Sequence, residues 1–372
     1  MKRFEYRIPS EELQSSLPFL SPDMLFVDIE TTGFSAERSP IYLIGIACCD
    51  EDIRLTLYLA ETREEEPQIL KAFLRQLTER PIQQIVTFNG ERFDLPYLKT
   101  RAGLCGLSEL ASILPGSDSA SSLTSVDLYR SIARHRHLFH LEHYRQRSIE
   151  EFLGVQRNDE YDGGKLIEVY RRYEKKPDAE SEKLLVLHNR EDVEGMLRIL
   201  PMLAYDQWDQ NSMSLQSLDW DWEDRHLYIT LTLNRTLPQP VRLNGEAHYI
   251  RMEGDRLKAA LPIRQDPLKY YFPYPAQYVY LTREGTVVPK MLASTIPSDQ
   301  KRPAKREECY TTIEGQFLAF EASFVRRHPS LFEGERIFKT AFDDDKSYIR
   351  VESASLPAGF LLRYLALLIE NA

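Results

Sequence analysis

Along the chain, the spacing of apolar positions switches between the period of a strand and the period of a helix. Met24-Leu25-Phe26-Val27-Asp28-Ile29 is a short apolar run of strand formers, and Ile41 to Ala47 is a second one beyond a Gly/Ser/Pro turn. Arg54 to Leu59 alternates, so the three runs predict an antiparallel meander. Glu64 to Leu77 reads as a helix, with Leu70, Phe73, Leu74 and Leu77 on one side. Ile82 to Phe88 is strand-like again, and a helix over Glu91 to Ala102 opens beneath the Asn89-Gly90 turn. The stretch 106–125 reads as a loop, with order resuming at Asp127 to Arg130. Helices are expected over Ser148–Leu153, Gly164–Tyr173 and Leu184–Leu203.

Strands followed by helices around them make an α/β domain, set at residues 21–205, with residues 1–20 as an N-terminal arm or short helix. A polar stretch, 206–218, reads as a linker. Beyond it strand-like runs dominate (Leu227–Leu233, Ala247–Met252, Tyr278–Leu281, Phe317–Phe324), and Phe360–Ile369 predicts a closing helix. Residues 219–372 are therefore expected to be a β-rich, α+β domain of unknown function.

Composition narrows the classes. With 372 residues, 42% hydrophobic and 28% charged, the chain can bury an ordinary core. No run is long and apolar enough for a membrane span, and Met1-Lys2-Arg3 is followed by no apolar signal core. Four cysteines without CxxC spacing (Cys48, Cys49, Cys105, Cys309) predict free thiols and a cytoplasmic setting. A net charge of -10 speaks against a general nucleic-acid coat, yet carboxylates that hold metal would contribute to that charge.

Three segments carry candidate chemistry. In Asp28-Ile29-Glu30-Thr31-Thr32-Gly33 the two acids share one face of a strand, where a cation would offset the cost of burying them. Taken alone, D-x-E also describes a solvated strand end. Asp94, in Phe88-Asn89-Gly90-Glu91-Arg92-Phe93-Asp94, falls in the first turns of a helix, where an acid can simply answer the helix dipole. Phe93 and Tyr97 read as packing residues. In Leu187-His188-Asn189-Arg190-Glu191-Asp192-Val193, His188 and Asp192 lie one turn apart at the border of an apolar face of Val186, Val193, Met196 and Leu200.

Taken together, a carboxylate pair on a first strand, an acid after an Asn-Gly turn and an acid on a late helix resemble the three motifs of the DEDD 3′–5′ exonuclease superfamily. Over most of residues 20–205 the chain resembles the YprB-like group of ribonuclease H-like proteins. Leu25 to Phe34, Leu43-Ile44-Gly45, Phe88 to Asp94, Ser148 to Gly154 and His188 to Val193 carry the resemblance. It implies a ribonuclease H-like mixed sheet flanked by helices, and two divalent ions, Mg²⁺ or Mn²⁺, held by Asp28, Glu30, Asp94 and Asp192. Such ions would sit roughly 3.5–4 Å apart and serve an in-line displacement at phosphorus. Asp28 would bridge them, Glu30 and Asp192 would complete one coordination sphere, and Asp94 would hold the other ion mainly through water. His188 would accept a proton from the attacking water or position it.

The implied substrate is DNA or RNA, single-stranded or with a free 3′ end, with Thr31, Gly33, Phe34 and Asn89 near the terminal nucleotide. Phe34 can equally be a core residue. One departure stands out: better-known relatives carry Tyr-x3-Asp or His-x4-Asp in the third motif. Here His188 stands at the tyrosine spacing, in the His-Asn-x-x-Asp form of the YprB-like group.

The rival expectation is a catalytically silent nucleic-acid-binding protein on the same fold, which the presence of all four acids disfavours. Basic segments are candidate substrate guides: Arg134-His135-Arg136-His137 with His140, His143, Arg145 and Arg147, and Lys301 to Arg306 as a flexible loop. The bland readings are a solvated helix face and an exposed loop. Trp220 and Trp222 read as the packing face of a strand.

Overall fold

The computed structural model describes residues 1–49, 52–116, 123–159, 163–208, 212–221, 224–245, 248–351 and 358–372. Trp222, Ala247 and the side chain of Trp220, on which sequence readings fell, lie outside that description. The chain divides into two compact units, residues 1–206 with 237–239, and 207–236 with 240–372.

The first unit is an α/β layer structure around a six-stranded mixed sheet. Its strands are β1 (Lys2–Ile8), β2 (Met24–Thr31), β3 (Ile41–Cys49), β4 (Ile53–Leu59), β5 (Gln84–Thr87) and β6 (Thr124–Asp127), in the order β1-β4-β3-β2-β5-β6. The meander β2–β3–β4 is antiparallel, β1 adds antiparallel to β4, and β5 and β6 run parallel to β2. The predicted arm at 1–20 is thus partly an edge strand. Phe4, Tyr6 and Ile8 alternate with Arg3, Glu5 and Arg7, a period of two that marks a half-covered strand.

The helices are α1 (Glu66–Thr78), α2 (Asp94–Leu104), α3 (Ser108–Ile113), α4 (Leu128–Arg134), α5 (Arg136–Phe139), α6 (Gln146–Phe152), α7 (Gly163–Lys175) and α8 (Ala179–Ile199). Helix α3 occupies part of the stretch expected to be loop, because Leu110 and Leu114 are fully buried there.

The two faces of β2 have different coverings. Leu25, Val27 and Ile29 join a core with Ile69, Leu70 and Phe73 of α1 and Leu95 and Leu98 of α2. By the alternation of a strand, Phe26, Asp28 and Glu30 point to the other face, which α8 covers. All nine residues of β3 are buried, as a central strand requires. Arg101 and Glu66, both nearly buried, tie α2 to α1, and a Glu66 oxygen also accepts the Ile41 N–H at 2.8 Å.

The second unit is β-rich and antiparallel. It contains a ten-stranded sheet and a three-stranded sheet of Tyr278–Leu281, Thr286–Pro289 and Lys301–Pro303. Met213–Asp221, which begins inside the expected linker and runs past its end, is a strand paired with His226–Leu233. The closing helix, Ala358–Glu370, buries Phe360, Tyr364 and Ile369, with Tyr364 against Phe320 and Phe324. The Lys301–Arg306 segment, expected as a loop, opens with the strand Lys301–Pro303, and Arg302 pairs with Glu308 at 2.6 Å and lies over the Tyr280 ring.

Candidate metal centre

Strand β2 outruns its neighbour. Its pairing with β5 ends at Phe26–Val86, so the N–H groups beyond have no strand to meet on that side. The chain leaving β5 supplies one partner. It turns at Asn89, whose φ of 61° is left-handed, and at Gly90, where a Cβ would stand 2.4 Å from the Thr87 side chain. That turn delivers Asp94 as the first residue of α2, and its Oδ1 accepts the Ile29 N–H at 3.3 Å. The helix therefore starts three residues later than the pattern predicts, and Asp94 is buried. Asp127, at the end of β6, fixes the turn by accepting the N–H groups of Asn89 (2.9 Å) and Glu91 (3.2 Å).

Helix α8 faces Asp28 and Glu30 with a stripe of Leu185, His188, Asn189, Asp192, Val193 and Met196. Asn189 lies inside that stripe, while Asp192 is only partly buried and sits at its border, as expected. Asn189 is the most buried of the polar residues there, and its Nδ2 donates to Asp28 Oδ2 at 2.7 Å. Gly45, opposite Asp28 on β3, makes room for it: a Cβ there would lie 2.1 Å from Asn189 Oδ1.

His188 Nε2 lies 3.4 Å from Glu30 Oε1 and 3.2 Å from Asp192 Oδ2. Glu30, His188 and Asp192 each offer one ligand atom, all within 4.8 Å of one another. The opposite ring nitrogen, Nδ1, is 2.5 Å from Asp159 Oδ2. Tyr42, stacked on Tyr170 with ring centroids 4.0 Å apart, donates to Glu30 Oε2 at 3.4 Å.

Electrostatically the cluster carries an excess of negative charge. Burial, with Asp192, Asp94 and Glu30 nearby, raises the Asp28 carboxyl well above the usual range. Burial also pushes Glu30 and Asp94 up to about 7, with His188 opposing the rise at Glu30 and backbone N–H groups opposing it at Asp94. His188 is itself raised: burial works against its cationic form, but Asp192, Glu30 and Asp159 outweigh it. Carboxylates that resist ionisation for want of positive charge are what a cation would relieve. The buried Asn189 Oδ1, which has no hydrogen-bond partner, is a further polar atom with unmet demand. The all-oxygen acids with one imidazole fit a hard divalent ion.

One positive charge is already present. Arg157 donates to Asp192 Oδ1 at 2.6 Å and pairs with the fully buried Glu150. Neither Arg157 nor Asp159 was singled out from the sequence, nor was Tyr42, and Asn189 entered only as part of the His-Asn-x-x-Asp motif, without a role. Of the expected substrate residues, Thr31 donates to Gly33 O at 2.9 Å, and Tyr97 holds the same loop by donating to the carbonyls of Gly33 (2.8 Å) and Ser39 (2.7 Å). Phe34 is 86% exposed, which removes its reading as core. Asn89 stands on the separate turn before α2. Cys48, Cys49 and Cys309 are buried free thiols, and Cys105 is a partly buried one. Among the described residues, no helix is long and apolar enough to cross a membrane.

Residues 25–204 match the RNase H superfamily. A DNA polymerase of Pyrococcus glycovorans is 32% identical over 121 residues, 28% of this chain and 15% of the polymerase. A DNA polymerase of Pyrococcus horikoshii is 31% identical over 124 residues, 29% of this chain and 10% of the polymerase. The matched part is therefore a small fraction of those relatives. The family B DNA polymerase structure from Pyrobaculum calidifontis aligns with a TM-score of 0.40 at 14% identity, over 89% of this chain and 54% of that one.

Proposed function

We propose that the RNase H-like region, residues 25–204, is a metal-dependent nuclease that hydrolyses phosphodiester bonds of DNA or RNA, as a 3′–5′ exonuclease of the DEDD type and of the YprB-like group within it. The observation that carries this reading is the convergence of Glu30, His188 and Asp192 onto one point, beside Asp28 and Asp94. Two divalent ions, Mg²⁺ or Mn²⁺, are the cofactors it implies. Bound there, such ions would offset the charge of the scissile phosphate and make water a better nucleophile. Asp28, Glu30 and Asp192 would hold one, and Asp28 with Asp94 the other.

The chain's own groups would do the rest. Asp159 fixes Nδ1 of His188, which leaves Nε2 turned toward the acids and able to take or direct the proton of a water there. Asn189 holds Asp28 in one orientation, and Tyr42 steadies Glu30. The loop of Thr31, Gly33 and Phe34, and the turn at Asn89, would receive a single strand or a free 3′ end. Free thiols fit a reducing cytoplasm.

The competing reading, a silent nucleic-acid-binding protein, has Arg157 in its favour, because that side chain already occupies one oxygen of Asp192. The test is incubation of 3′- and 5′-labelled single-stranded DNA and RNA with Mn²⁺ or Mg²⁺, beside Asp28→Asn. The expected result is stepwise loss of nucleotides from the 3′ end and a loss of at least about a hundredfold in the variant, the scale on which such electrostatic groups act. Saturating Mn²⁺ should also raise the melting temperature of the parent, by a stabilisation of roughly 2.7 kcal/mol at a hundredfold excess over Kd. Absence of both cleavage and stabilisation would leave the silent reading standing.

A further inference from the structure

The geometry points to a second element of substrate recognition: a groove of four arginines beside the carboxylate cluster that holds the phosphodiester backbone of a nucleic-acid strand. This deepens the nuclease reading and rests on it for the direction in which the strand would run. One wall is the turn Asn89–Arg92, the segment that leads directly into Asp94. The other wall is α4 and the start of α5, which contribute Arg130, Arg134 and Arg136 to a groove of about 430 Å³.

The charges there do not cancel. Asp127, on the floor, keeps its charge but has both oxygens occupied by backbone: it accepts N–H groups from Asn89, Glu91 and Arg130. Glu91 pairs with Arg130 at 2.9 Å, and Arg134 lies 3.4 Å from Asp206. Arg92 and Arg136 are exposed and form no ion pair with a carboxylate among the described residues. Arg136 is nonetheless held in place, by the Ala133 carbonyl at 3.2 Å and by the Tyr144 ring beneath its guanidinium.

Four guanidiniums face the carboxylates of Glu91, Asp127 and Asp206, and two of the four have no carboxylate partner among the described residues, so in a chain of net charge -10 the groove is a local positive site. Guanidinium presents paired N–H donors that match phosphate oxygens. The sequence pointed to Arg134 and Arg136 but could not show that Arg92, some forty positions earlier in the chain, stands across from them and from Arg130.

The test uses the full chain with Asp28→Asn to prevent cleavage, titrated against a fluorescein-labelled single-stranded oligonucleotide at several salt concentrations. Adding Arg92→Gln with Arg136→Gln should weaken binding on the order of tenfold and make the slope of log K against log salt shallower by about 1.4, the loss of two phosphate contacts. The pair Lys71→Gln with Arg75→Gln, on the exposed side of α1, changes net charge equally and should leave both quantities at the parent's values. Equal binding and slope in the groove variant, or equal weakening by the α1 variant, would overturn the groove. Cleavage by the unmutated chain is scored separately. A chain that never cleaves but binds through Arg92 and Arg136 sinks the nuclease reading and keeps the groove; one that cleaves but binds independently of them does the reverse.

Discussion

Glu30 and Asp94 set how the metal-free protein responds to pH. Each is lifted, by burial first, to about 7. A carboxyl whose folded pKa exceeds its unfolded one binds more protons in the native state, so stability falls as pH rises from the unfolded pKa, near 4, through 7. His188 acts with the same sign, since a raised base loses its contribution as pH climbs through its folded pKa. The melting temperature of the EDTA-treated protein should therefore drop between pH 5 and pH 8, and Glu30→Gln should flatten that drop. A profile that rises across the window would contradict this picture. At this scale the sequence showed the acids but not their partners. Asp28 and Glu30 were legible because a strand's period of two puts them on one face. Arg157 and Asp159 lie in an irregular segment after α6 and meet α8 35 and 29 residues later, a separation that no periodicity reports.

Among the elements, β2, β3 and α8 act as one device, and Gly45 is its narrowest point. Gly45→Ala would push a methyl group to 2.1 Å from Asn189 Oδ1 and 2.9 Å from Val193 Cγ2. The expected cost is about 1–3 kcal/mol, the usual range for overfilling a packed site, read as a lower urea midpoint. Because the clash strikes the side chain that orients Asp28, metal-dependent stabilisation should weaken too. A variant with parental stability and metal response would show that α8 can retreat freely. The strands of the meander and the long helix were legible from apolar period alone. Helix α3 and strand β1 were not: one is six residues long in a serine-rich stretch, and the other carries four charges in seven positions.

For the whole molecule, the layer structure of residues 1–206 followed from the order of strands and helices, and the β-rich character of the remainder from its strand-like runs. The pairing order of the second unit did not, because strands such as Leu268–Tyr271 and Ile337–Lys339 meet across some seventy positions. A fragment ending at Asp206 retains every member of the carboxylate cluster but loses Gln239, whose carbonyl accepts the buried Tyr205 hydroxyl at 2.6 Å. Such a fragment should keep its Mn²⁺-dependent rise in melting temperature while being less stable by about 1 kcal/mol for that bond. No response to Mn²⁺ would place a required group beyond residue 206. The guanidinium of Arg157 has a further consequence for the folded chain. It travels with the polypeptide, so part of the charge balance between Glu150 and Asp192 is met before any ion arrives from solution. Unlike a zinc finger, which collapses when stripped of metal, this scaffold has a built-in counterweight. On the proposed reading, loading and unloading of ions would then be events in the life of an assembled protein rather than conditions of its assembly.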